Sequence, residues 1–81
     1  MKAPLYSYDL EFTAQQAQLM QQVSGQKLTR AIIEFCVKEC KKKGVKASVK
    51  AFLRAKKKNE NGIIKLQAGD VRIRYRVKEV A

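Results

Sequence analysis

VRIRYRVKEV, residues 71–80, alternates without a break. Val71, Ile73, Tyr75 and Val77 point one way; Arg72, Arg74, Arg76 and Lys78 point the other. A period of two marks a β-strand with one buried and one wet face. IIKLQ (63–67) precedes it across Ala68-Gly69-Asp70, a turn-like trio, so the two segments predict a C-terminal hairpin. LYSYDLEF (5–12) alternates in the same way, with Tyr6, Tyr8, Leu10 and Phe12 opposite Leu5, Ser7, Asp9 and Glu11. The expected outcome is one small antiparallel sheet shared by an N-terminal strand and a C-terminal hairpin.

The intervening residues change period. Thr13 suits a helix N-cap, and AQQAQLMQQV follows with Ala14, Ala17, Leu19, Met20 and Val23 as its apolar stripe; Ser24-Gly25 ends it. A second helix is expected over 27–43, where Leu28, Ala31, Ile32, Phe35, Cys36 and Cys40 recur at spacings of three and four. Ile33 and Val37 widen that stripe and make this helix the central one. Lys41-Lys42-Lys43 before Gly44 complements the negative end of its dipole. A third helix is expected over 46–58, with Val45, Val49, Phe52 and Leu53 on one side and Lys46, Lys50, Arg54 and Lys57 on the next, Lys58 just beyond. Asn59-Glu60-Asn61-Gly62 reads as its stop. The class is therefore α+β, in a single domain over residues 1–81, since so short a chain holds one core.

Charge divides this chain. Residues 1–40 hold four cations and four acids; residues 41–81 hold fourteen cations and three acids, and so the whole net charge of +11. A neutral half joined to a cationic half predicts a surface that meets a polyanion. No apolar run approaches the ~18–20 residues that span a bilayer, and the first residues lack a signal peptide's apolar stretch. The expectation is a cytoplasmic protein, nucleoid-associated in a bacterium, with no membrane partner. Cys36 and Cys40 are expected as small core residues. A structural zinc takes about four ligands and the chain has no histidine, so no metal or cofactor is expected. Catalysis has little to stand on either. There is no Gly-rich phosphate loop, no base for a Ser or Cys nucleophile, and Glu34 and Glu39 lie about 140° apart around their helix.

Two features point to nucleic acid. The second and third helices join through KKKGVKAS (41–48), which is similar over about 25 residues to a helix-turn-helix, and the basic third helix would then enter the major groove. Lys46, Lys50, Arg54, Lys57 and Lys58 are its candidate contacts. Arg72, Arg74, Arg76 and Lys78 form the second set, a basic hairpin that would hold the backbone as a wing does, so a winged-helix-like arrangement is the expected architecture. A ribbon-helix-helix start over 5–43 ranks lower, because Asp9 and Glu11 would then face phosphates. Against both sets stand plain structural readings: a solvated lysine face on the helix, and a strand ladder answered within the sheet by Asp9 and Glu11 if that strand lies beside 71–79. The leading function is a small non-enzymatic DNA-binding protein, a regulator or accessory factor, with duplex DNA favoured over RNA. The alternatives are RNA binding and the binding or inhibition of an acidic protein surface. A homodimer is a further option for so short a chain.

Overall fold

In a computed structural model, which describes residues 6–78, the elements follow in the order β1 (Tyr6–Thr13), α1 (Ala14–Ser24), α2 (Leu28–Lys42), α3 (Val49–Arg54), β2 (Lys58–Glu60), β3 (Ile63–Ala68) and β4 (Val71–Lys78). Leu5 and residues 79–80, which the alternation assigns to strands, lie outside the described residues. The strands form one sheet in the order β1-β4-β3-β2. The helices pack on one face of it, α1 against β1 and β4, α3 against β3, with α2 between α1 and α3. The α+β class read from the sequence is the class observed.

Each element has a local cause. Thr13 caps α1 reciprocally: its hydroxyl accepts from the Gln16 N–H at 3.1 Å, and the Gln16 side chain accepts from the Thr13 N–H at 3.0 Å. Gly25 ends the helix at φ 68°, a left-handed conformation that glycine adopts without steric cost. α2 is the central helix, as its wide apolar stripe requires. Its Ile32, Ile33, Cys36, Val37 and Cys40 meet Phe52 of α3, Leu66 of β3 and Val71, Ile73 and Tyr75 of β4 in one core. Burying each of the larger side chains contributes ~1.5–3 kcal/mol. Tyr75 reaches under α2, and its hydroxyl is satisfied by a hydrogen bond with the Thr29 hydroxyl. Both thiols are buried in this core. Burial pushes the Cys36 thiol up to about 12, which makes it inert at neutral pH.

The structure corrects the sequence reading in several places. The sheet is mixed, because β1 runs parallel to β4, with Tyr8 beside Ile73 and Leu10 beside Tyr75; the crossover through the helices supplies the long connection that parallel strands need. The third helix covers only Val49–Arg54. After Leu53 the chain offers Ala55 as its one apolar residue before Ile63, so nothing holds a further turn against the core, and Ala55 is already extended at ψ 143°. Lys46 and Lys57 therefore lie in connections, and Lys58 opens a strand, β2, that pairs with β3. Leu19, Val23, Phe35 and Leu53 were expected in apolar stripes, but all four are exposed.

α2 and α3 are joined by residues 43–48 rather than by a tight turn, and the sheet has a fourth strand. The helix-turn-helix and winged-helix details thus find no support in the arrangement. No helix among the described residues is long and apolar enough to cross a membrane.

Ile33, fully buried, and Phe35, 46% exposed, lie two residues apart on α2. Ile33→Ala is expected to lower stability by ~2–5 kcal/mol. Phe35→Ala should cost at most about 1 kcal/mol. Urea unfolding followed by circular dichroism measures both.

Candidate nucleic-acid interface

The arginine ladder of β4 lies on the sheet face that no helix covers among the described residues. Strand register arranges that face in rows. One row crosses all four strands as Lys58, Lys65, Arg74 and Asp9; the row beside it holds Gln67, Arg72 and Ser7. On the far side of Arg74 stand Arg76 and Glu11, with Glu60 beside Ile63 on the outer strands. The face thus presents six cations (Lys58, Lys65, Arg72, Arg74, Arg76 and Lys78) against three carboxylates (Asp9, Glu11 and Glu60), a local balance of +3.

Most of these charges are already answered. Arg74 donates through Nε to Asp9 Oδ1. Glu11 reaches Arg76 at 3.3 Å and Lys78 at 2.9 Å, and Glu60 holds Lys65 at 2.8 Å. The Arg74 hydrogen bond holds the Asp9 carboxyl below its ordinary 3.8, and the Lys78 ammonium does the same to Glu11 below 4.5. Arg72 is the exception in the ladder: its Nε donates to Ser7 Oγ at 3.3 Å, and no described carboxylate lies within reach. The parallel placement of β1 beside β4 therefore turns three of the four ladder residues inward, toward their own sheet.

A second surface has no such answer. Residues 40–59, CKKKGVKASVKAFLRAKKKN, contain nine cations and no acid. They run from the end of α2 through α3 to the start of β2. Among the described residues only Lys42 of the nine finds a carboxylate, Glu39 at 3.7 Å. Lys41, Lys43, Lys46, Lys50, Arg54, Lys56, Lys57 and Lys58 are exposed and unpaired, save that Lys43 also sits 5.5 Å from the centre of the Tyr8 ring. Lys50 and Arg54, four apart, share one side of α3. Since α3 packs on β3 and β2 is the edge strand, the part from α3 to β2 follows the β3–β2 edge, while the part at the end of α2 begins beside Tyr8 of β1.

The structure thus keeps Lys46, Lys50, Arg54, Lys57 and Lys58 together as an exposed set, although only Lys50 and Arg54 are helical. Lys58 shares the open-face row of Lys65 and Arg74, but Arg74, Arg76 and Lys78 are engaged by carboxylates and the set is not. Lys41 and Lys43, read from the sequence as complements of the helix dipole, join the arc, as does Lys56, which was not singled out. The signal that finds them is the absence of acids between Glu39 and Glu60, not helical periodicity. Exposed aromatic residues do not line this arc: Tyr6 and Phe35 belong to β1 and α2, and Tyr75 is buried. No three His, Cys, Asp or Glu side chains gather among the described residues in a way that could hold a metal.

No family model, curated protein or solved structure matches this chain.

One variant separates the paired from the unpaired cations. Groups whose folded pKa is depressed add stability that is complete above their unfolded values and lost as pH falls through the folded ones. Wild-type stability should therefore decline below about pH 5. The variant Asp9→Asn/Glu11→Gln should show a shallower acid limb in urea unfolding. The same variant leaves Arg74, Arg76 and Lys78 without their carboxylate partners at neutral pH.

Proposed function

We propose that the protein is a non-enzymatic duplex-DNA-binding protein that grips the phosphate backbone with the arc over residues 41–58. The observation that carries this reading is the set of eight exposed cations, unpaired among the described residues, in a segment without one acid. Like charges packed this closely repel one another unless a polyanion answers them. Charge balance within the fold does not require them: the sheet already matches Asp9, Glu11 and Glu60 with its own cations.

The form of the contact follows from the geometry. α3 has six residues, a rise of ~9 Å, and exposes Lys50 and Arg54 from a single side. That suits phosphates flanking a groove better than a helix laid along base edges. Binding should therefore depend little on sequence, which fits an accessory factor more closely than a site-specific regulator. The scarcity of exposed aromatics favours a duplex over single strands, which are held largely by stacking. Arg72, free of a carboxylate and on the open face, extends the contact when the duplex leans across the β2 edge.

If six to eight cations contact phosphate, log affinity against log salt should slope about −5 to −7. Lys50→Ala/Arg54→Ala should reduce that slope by about 2 for every sequence tested. Arg74→Ala/Arg76→Ala should change it less, because both are engaged by carboxylates. Fluorescence anisotropy over a salt series measures all three. Absence of duplex binding at low salt, or binding indifferent to salt, would falsify the reading. Tighter binding of a folded RNA of equal length would move it from DNA to RNA.

A further inference from the structure

The start of α2 breaks two rules that its own end and the start of α1 obey. Thr13 and Gln16 cap α1 reciprocally, and Lys41 and Lys42 stand at the negative end of α2, where cations belong. At the positive end of α2 the N-cap is Lys27, which makes no side-chain cap, and the first turn holds no acid. The first backbone bond of the helix runs from the Ala31 N–H to the Lys27 carbonyl at 3.0 Å. The N–H groups of Leu28, Thr29 and Arg30 meet no acceptor among the described residues. Lys27 and Arg30 are cations where the helix dipole favours an anion.

The tertiary fold brings a third cation to this end rather than an acid. Gln26, Lys27, Thr29 and Arg30 line a cleft of about 410 Å³ with Leu53, from α3, and Lys57, from the connection to β2. No acid lines it. Neither lysine meets a carboxylate among the described residues, and Arg30 has only Glu34, at 3.7 Å and one turn further along α2. Gln26 lacks a partner as well: its Oε1 is buried without a hydrogen bond. Unfilled donors, cations of the wrong sign and an orphaned amide oxygen thus meet in one cleft. Local rules broken together, with no compensation inside the fold, mark a site that something else completes.

We propose that this cleft binds the phosphate group of a phosphomonoester. An oxyanion at the end of α2 accepts from the free N–H groups, sits at the positive end of the dipole and lies among Lys27, Arg30 and Lys57. A hydroxyl on the phosphate or its carrier can donate to Gln26 Oε1. The cleft has room for more than the bare anion, and exposed Leu53 gives the carrier an apolar wall. A monoester carries close to two charges at neutral pH, which suits three converging cations. An internal phosphodiester carries one and suits the open arc better. The same group has two sources, the phosphorylated end of a nucleic-acid strand and a small free ester. The proposal does not rest on the duplex-DNA reading; Lys57 is the cation that the cleft and the arc share.

Amide NMR of the full chain tests it, in a titration with glycerol phosphate against sodium chloride at matched ionic strength. Saturable shifts are expected at the amides of Leu28, Thr29 and Arg30 with the ester and not with chloride. Lys27→Ala/Arg30→Ala should weaken saturation about tenfold or more. Lys50→Ala/Arg54→Ala, in the arc but outside the cleft, should leave it unchanged. Lys27→Asp puts an N-cap acceptor where the phosphate would sit, so it should raise the urea midpoint of the free protein and abolish the response. That gain in stability separates loss of the site from loss of the fold. Tighter binding of a duplex with phosphorylated ends than of the same duplex without them would assign the site to strand ends. Equal binding of the two, with the ester response intact, would assign it to free esters. No response at the three amides, shifts confined to residues 41–58, or saturation that Lys27→Ala/Arg30→Ala leaves intact would overturn the proposal. Absence of duplex binding in a chain that still binds the ester would overturn the DNA reading alone.

Discussion

β1 lies parallel to β4, and Asp9 and Glu11 fall beside Arg74 and Arg76. That pairing joins the first residues of the fold to the last. It closes the sheet on the side where β4 would otherwise expose its backbone, and it places Tyr8, Leu10 and Phe12 under the helices against the core. It also decides which cations remain available. Without it, the alternating arginines would be a bare basic strand. With it, two acids engage three of the four cations, and the open face becomes a largely self-answered ionic lattice. These pairs are exposed, so each adds little to stability. Their larger effect is on what the face can still attract.

The consequence is a separation of charge in space that follows its separation along the chain. β1 and α1 sit at one side of the sheet, and α3 and β2 at the other, with α2 and β4 between them. The uncharged helix and the cations of α3 and β2 thereby lie on opposite sides of α2, while Lys43 reaches Tyr8 of β1 and Lys57 approaches Lys27. The proposed polyanion contact then falls to the cationic stretch and not to α1. A diffuse basic tail could bind phosphate as readily, but it could not keep a cation-free face.

Much of this was legible in the residues. Alternation located β1, β3 and β4, and the three-and-four spacing located α2, because burial imposes those periods on any sequence that packs a sheet against a helix. Strand direction was not legible. Asp9 and Glu11 two apart can meet Arg74 and Arg76 two apart in either orientation, and apolar alternation is blind to direction as well. The end of α3 was misjudged for a related reason. Lysines at helical spacing suit a helix, but only Val49 and Phe52 anchor one, and Lys58 does more for the fold by pairing with Lys65 at the edge of β3. Leu19, Val23, Phe35 and Leu53 fit their apolar stripes, yet a domain of this size has room in its core for only part of each stripe.

That surplus of apolar side chains bears on the kind of binding the arc can perform. A helix of under two turns, fixed to the core by Val49 and Phe52, cannot present the run of side chains that reads several bases in a groove. On the proposed duplex-binding reading, its cations and those of the connections on either side meet phosphates instead.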